Sequence, residues 1–100
     1  MNKSLFGIIR FWDQLLLLMA PRMSKSIHSP ENAKLRELLI AARKKAGLTQ
    51  QDVAERLGRP QSFVAKYEGG ERRLDVVEFV QVAVAVGGDP VRILRAMIAS

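Results

Sequence analysis

Within TQQDVAERLGRPQSFVAKYEGG, residues 49–70, the first side chains able to exchange hydrogen bonds after a Gly-Arg-Pro break are Gln61, Ser62 and Lys66. An amide offers a donor and an acceptor together, a hydroxyl offers either, and an ammonium only donates. Groups of this kind suit recognition of another polar surface. What bond-breaking chemistry needs is missing from the rest of the chain. There is no cysteine, and the single histidine, His28, lies in a polar stretch with no partner at ligand spacing. No phosphate-cradling glycine loop is present, and the carboxylates do not cluster at catalytic spacing. The sequence therefore argues against an enzyme, a disulfide framework and a metal site, and it implies no cofactor.

The elements that must position these residues read as helices. Leu35, Leu38, Leu39, Ala42 and Ala46 recur at three- and four-residue intervals, which predicts a first helix closed by Gly47. Thr49 offers an N-cap for a second, with Asp52 three residues on as a weaker form of the capping box. Val53, Ala54 and Leu57 line its inner side, and Gly58 can take the left-handed conformation that ends it. Arg59-Pro60 restarts the chain, since proline is tolerated in a first helical turn. In this third helix Val64 and Tyr67 point inward, one turn apart, before Gly69-Gly70 stops it.

Asp75 and Glu78 form a capping-box pair for a fourth helix, with an expected apolar stripe of Val76, Phe79, Val80, Ala83 and Val86 up to Gly87-Gly88. The run VVEFVQVAVAV is rich in β-branched residues, but its cap and its Gly-Gly stop favour helix. Asp89-Pro90 opens a fifth, with Val91, Leu94, Met97 and Ile98 on one side. The fold class expected is all-α, a compact bundle of four to five short helices.

One hundred residues fit one domain, and 48% apolar content excludes disorder by composition. The formal charge of +6 and the sequence pI of about 10.3 suggest a polyanionic partner, nucleic acid or an acidic membrane surface. Residues 43–73 hold eight Lys/Arg against four Asp/Glu, whereas residues 74–89 hold no Lys or Arg and three acids. The basic side is thus the side of Gln61, Ser62 and Lys66.

Residues 1–30 read as an extension and linker, and residues 31–100 as the domain. The segment LFGIIRFWDQLLLLMA, residues 5–20, is apolar but contains Arg10 and Asp13, and it is short for a bilayer span. It also makes a poor signal peptide. Met23 lies in the polar linker that follows and is expected to be a natural start, residues 1–22 being an upstream extension of the reading frame. An interfacial helix or an oligomerisation arm is the other reading of that segment.

Two helices joined by a short glycine-containing turn form a helix-turn-helix, whose second member can lie in a DNA major groove. The arrangement calls for a small residue on the inner face of the first helix, met by Ala54. It also needs a turn residue free to take positive φ, met by Gly58, and short polar side chains opening the second helix, met by Gln61 and Ser62. At this point LRELLIAARKKAGLTQQDVAERLG, PQSFVAKYEGGERR and LDVVEFVQVAVAVGGDP resemble the Cro/repressor-type, or XRE-type, helix-turn-helix family, over residues 35–90.

The resemblance implies a lambda-repressor-like domain and a sequence-specific transcriptional regulator, expected to be a cytoplasmic, nucleoid-associated repressor. Its implied partner is double-stranded operator DNA, bound as a homodimer, with no membrane and no metal. By the same resemblance Gln61, Ser62 and Lys66 face base edges, with Gln61 suited to adenine. Gln50 contacts backbone phosphate and braces Gln61. Arg43 pairs with Glu68 and keeps a guanidinium edge near phosphate, while Arg72 and Arg73 form a basic backbone-contacting loop. Phe63 is expected either to touch a thymine methyl or sugar or to cover the surface. Pro60 departs from the family pattern, which more often has Ser or Thr as N-cap there. Dimer contacts are expected from Val91, Leu94 and Met97 of the fifth helix, or else from residues 1–22. The alternative reading is an antitoxin or adaptor that uses the same fold mainly for protein–protein interaction.

Overall fold

Ser29 opens the first helix. Its Oγ accepts from the Asn32 backbone N–H at 3.1 Å, and Pro30 sits in the first turn, where a missing N–H costs nothing. The computed structural model describes residues 29–99, so the readings made of residues 1–28 lie outside the described residues. Helix α1 runs Pro30–Lys45, α2 Gln50–Leu57, α3 Gln61–Glu68, α4 Val76–Ala85 and α5 Pro90–Ala99. No strand occurs among the described residues, and the fold class is all-α.

Local chemistry sets most of the boundaries. Both sides of a capping box close at α2: Thr49 Oγ1 accepts from the Asp52 N–H at 3.0 Å, and Asp52 Oδ2 accepts from the Thr49 N–H at 2.9 Å. The bond from the Thr49 N–H lowers the pKa of the Asp52 carboxyl. Asp75 and Glu78 reproduce the box at α4, at 2.7 and 3.0 Å. Gly58 ends α2 at φ 66°, which an L side chain rarely adopts, and the Arg59 N–H returns to the Ala54 carbonyl at 3.0 Å.

The core is built where the helices cross. Leu39 of α1, Val53 and Ala54 of α2, Val64 and Tyr67 of α3, Val82 and Ala83 of α4, and Val86 at the C-cap of α4 are each at most 1% exposed. Helix α2 packs on α3 and α4, α1 packs on α3 and α5, and α4 packs on α5. With no side chain beyond Cβ, Ala54 lets α2 and α3 approach closely. Burial pushes the Tyr67 phenol's pKa well up.

Three details of the expected packing are corrected. In α4 the inward stripe is Phe79, Val82 and Ala83, continued by Val86 at the C-cap, whereas Val76 is 79% and Val80 43% exposed. Eight of the ten α4 residues are apolar, so periodicity alone cannot choose the face that turns inward. Ala46 is exposed, because α1 stops at Lys45 and Ala46 serves as its C-cap. Ile93, absent from the expected α5 side, is the buried residue of that helix, while Val91, Leu94 and Ile98 remain exposed.

Candidate nucleic-acid interface

Three residues separate α2 from α3, and the turn they form decides which side chains stand out. Pro60 is the N-cap of α3 and supplies no side-chain acceptor. The Phe63 N–H bonds the Pro60 carbonyl at 3.0 Å instead. Gln61 and Ser62 are exposed, and so is Lys66, one turn beyond Ser62 on the same face. Lys66 has no ion-pair partner among the described residues.

Behind this face runs a chain of polar contacts into the fold. Gln61 Nε2 donates to Gln50 Oε1 at 3.1 Å, and Gln50 Nε2 donates to Glu68 Oε1 at 2.9 Å. Arg43 completes it, with Nε to Glu68 Oε2 at 2.7 Å and Nη2 to Glu68 Oε1 at 3.0 Å. Its Nη1 donates to the Leu48 carbonyl at 2.9 Å. The Arg43 and Glu68 side chains are 13% and 6% exposed. The bond to Glu68 pushes the Arg43 guanidinium's pKa further up. With all three nitrogens engaged and so little exposed, Arg43 keeps scant edge for a phosphate.

The loop after α3 differs from a row of free cations. Arg72 donates through Nη1 to Glu78 Oε1 at 2.9 Å and through Nη2 to Glu78 Oε2 at 2.8 Å, and Nη1 also reaches the Arg73 carbonyl at 3.0 Å. Arg73 Nη2 reaches Ser29 Oγ at 3.3 Å, tying the loop to the start of α1. Phe63 is drawn inward rather than standing at the surface: it is 8% exposed and meets Tyr67 edge-on at 5.6 Å. The Arg59 and Arg72 guanidinium carbons lie 4.5 and 4.9 Å from its ring centroid. Hydrogen bonds from Arg72 and from the Asp75 N–H hold the Glu78 carboxyl down to about 2.

Two residues of this cluster were missed in the sequence. Glu78 reads there only as a helix cap, and Arg59 only as part of a turn. The second role of Glu78 depends on contacts with Arg72 and Arg59, six and nineteen positions away, that no local pattern announces. Among the described residues no group of His, Cys, Asp and Glu is gathered to hold a metal ion, and no helix is long and apolar enough to cross a membrane.

A short α2, a glycine turn and an α3 with an exposed polar edge define a helix-turn-helix protein. The family model described as "Helix-turn-helix domain" matches residues 34–96. An XRE-family like protein from Pseudomonas syringae pv. tomato str. DC3000 is 46% identical, with a TM-score of 0.72 over 81% of this chain and 95% of that one. The chain belongs to the XRE-type family of helix-turn-helix regulators, and its family and fold are those of DNA-binding transcriptional regulators.

More distant structures share the fold. The restriction-modification controller protein C.Esp1396I, solved as a tetramer in complex with its natural 35 base-pair operator, is 18% identical with a TM-score of 0.66, over 72% of this chain and 95% of that one. The clp gene regulator ClgR from C. glutamicum is 19% identical with a TM-score of 0.62, over 69% and 90%. Comparison with proteins of curated function gave no match.

Proposed function

We propose that the protein is a sequence-specific repressor that reads operator DNA in the major groove with α3, acting as a homodimer. The observation that carries this reading is the polarity of the chain behind Gln61. A carboxylate only accepts, so Gln50 must turn its amide N–H to Glu68, which leaves its oxygen to accept from Gln61. Gln61 then keeps its carbonyl oxygen and one N–H for an outside partner. That pair matches the N6 donor and N7 acceptor of adenine in the major groove. Ser62 and Lys66, on the same exposed edge, supply the neighbouring contacts to base edges.

The other residues take supporting parts. Gln50 braces Gln61, and Arg43 with Glu68 fixes Gln50. Arg73, exposed in the loop and bonded to Ser29 Oγ, is the candidate there for the DNA backbone. The domain in this reading spans residues 31–100, supported by the family match over 34–96, with residues 1–30 as an extension before it. A DNA partner places it in the cytoplasm with the nucleoid.

One α3 covers only a few base pairs, and two-fold pairing sets two of them one helical turn of DNA apart. Val91, Leu94 and Ile98, 55%, 38% and 67% exposed at positions i, i+3 and i+7 of α5, support that helix as the dimer surface. The operator-bound tetramer of C.Esp1396I supports an assembled state on DNA. A second reading, a partner protein as in antitoxins and adaptors, is favoured by Val77 and Val84 of α4, 66% and 63% exposed.

Selection of bound DNA from a random pool tests the proposal, and a palindrome is the expected product. On that site Gln61→Ala should cost about 1–3 kcal/mol and relax the preference at one base pair. Equal binding by wild type and a Gln61/Ser62 double-alanine variant would overturn the assignment. Reporter expression that falls when the protein is removed would overturn repression while leaving the DNA reading intact.

A further inference from the structure

Two arginines, one from the turn and one from the loop after α3, converge on one carboxylate of α4 beside Phe63 of α3. Glu78 Oε2 receives Arg72 at 2.8 Å, and Arg59 Nη2 stands 3.6 Å from the same oxygen, beyond hydrogen-bond distance. Both guanidiniums lie against Phe63, whose ring is the shelf that keeps them together. The two arginines are otherwise unlike. Arg72 has two hydrogen bonds to Glu78 and one to the Arg73 carbonyl. Arg59 makes no hydrogen bond to the described residues, and its side chain is 42% exposed. It stands two positions before Gln61, at the start of the reading helix.

Resting on the DNA-binding reading above, we propose that Arg59, and not Arg72, supplies the phosphate contact beside α3. Glu78 acts as the positioning residue, holding Arg59 over Phe63 through a contact weak enough to be exchanged for a phosphate oxygen. A guanidinium is suited to this exchange, because it can keep its flat face on the ring while its N–H edge turns to an anion. Arg72 satisfies the carboxylate, so Glu78 is not left unpaired when Arg59 turns away.

The test uses the full chain and the operator recovered by selection, with affinity measured across a series of salt concentrations and thermal midpoints measured in parallel. Arg59→Ala should reduce the magnitude of the log-affinity against log-salt slope by about one per subunit. It should leave the preferred bases and the thermal midpoint near wild type. Arg59→Lys, which keeps the charge, should restore much of the slope. Arg72→Ala should lower the midpoint while the folded protein keeps the wild-type slope. An unchanged slope in Arg59→Ala, or a reduced slope with an intact midpoint in Arg72→Ala, overturns this assignment of roles while the DNA-binding reading stands. Wild type that binds no DNA overturns both.

Discussion

The last and first turns of α3 are both gripped by Arg–Glu contacts, and the two grips differ in depth. At Glu68 the pair with Arg43 is nearly dry, 6% and 13% exposed, and every Arg43 nitrogen is engaged. At Phe63 the contacts converge on Glu78, 11% exposed, from Arg72 and Arg59, which are 38% and 42% exposed. Low dielectric around Glu68 makes its geometry costly to disturb, which suits a group that sets the orientation of Gln50 and Gln61. Water around the arginines at the other end screens their attraction and lowers the cost of exchanging one partner for another. The helix is locked where register is set and open where an outside anion approaches.

The largest effect should come from breaking the dry grip. Glu68→Ala leaves the Arg43 guanidinium buried without its carboxylate and should cost about 3–5 kcal/mol in a denaturant titration. A loss no larger than that of a surface charge would show that water reaches this pair and would remove the contrast between the two ends.

Glu78→Gln should lower the midpoint by less, and it sharpens the comparison through pH. The folded Glu78 pKa of about 2 lies below the value of about 4.3 for an unfolded glutamate. Between these values the unfolded chain binds more protons, so the contribution is complete above about pH 4.3 and lost as pH falls toward 2. The wild type should weaken across that window, and the variant should weaken less. Parallel acid profiles for the two proteins would show that Glu78 is not held by the arginines.

The smallest effect belongs to the cap that starts α2. Thr49→Ala removes one acceptor from the Asp52 N–H and should cost about 1 kcal/mol. Because Gln50 follows directly, a base preference that loosens in this variant would extend the locked region back to the cap.

How much of this was legible beforehand differs by the range of the cause. Thr49 with Asp52, Asp75 with Glu78, and Gly58 mark their helix ends within four residues, so boundaries and turn could be read directly. Val64 and Tyr67 were legible as core because α3 is apolar on one side only. Helix α4 resisted, since valine and alanine surround it and the positions of α2 and α5 determine that Val82 turns inward while Val80 does not. The exposed edge of α3 followed from the motif. The inward turn of Phe63 and the engagement of Arg72 with Glu78 did not, because a cationic loop reads the same whether its charges face solvent or a carboxylate.

Sequence alone thus determined the helices, the turn and the polar residues that open α3, because caps, glycines and periodicity act over a few positions of the chain. Tertiary structure alone decided which charges are spent within the fold and which remain for a partner. Arg43 meets Glu68 across 25 positions, and Arg72 meets a carboxylate that doubles as the cap of another helix. Such pairings depend on how the helices cross, and distance in space, not in sequence, sets their strength.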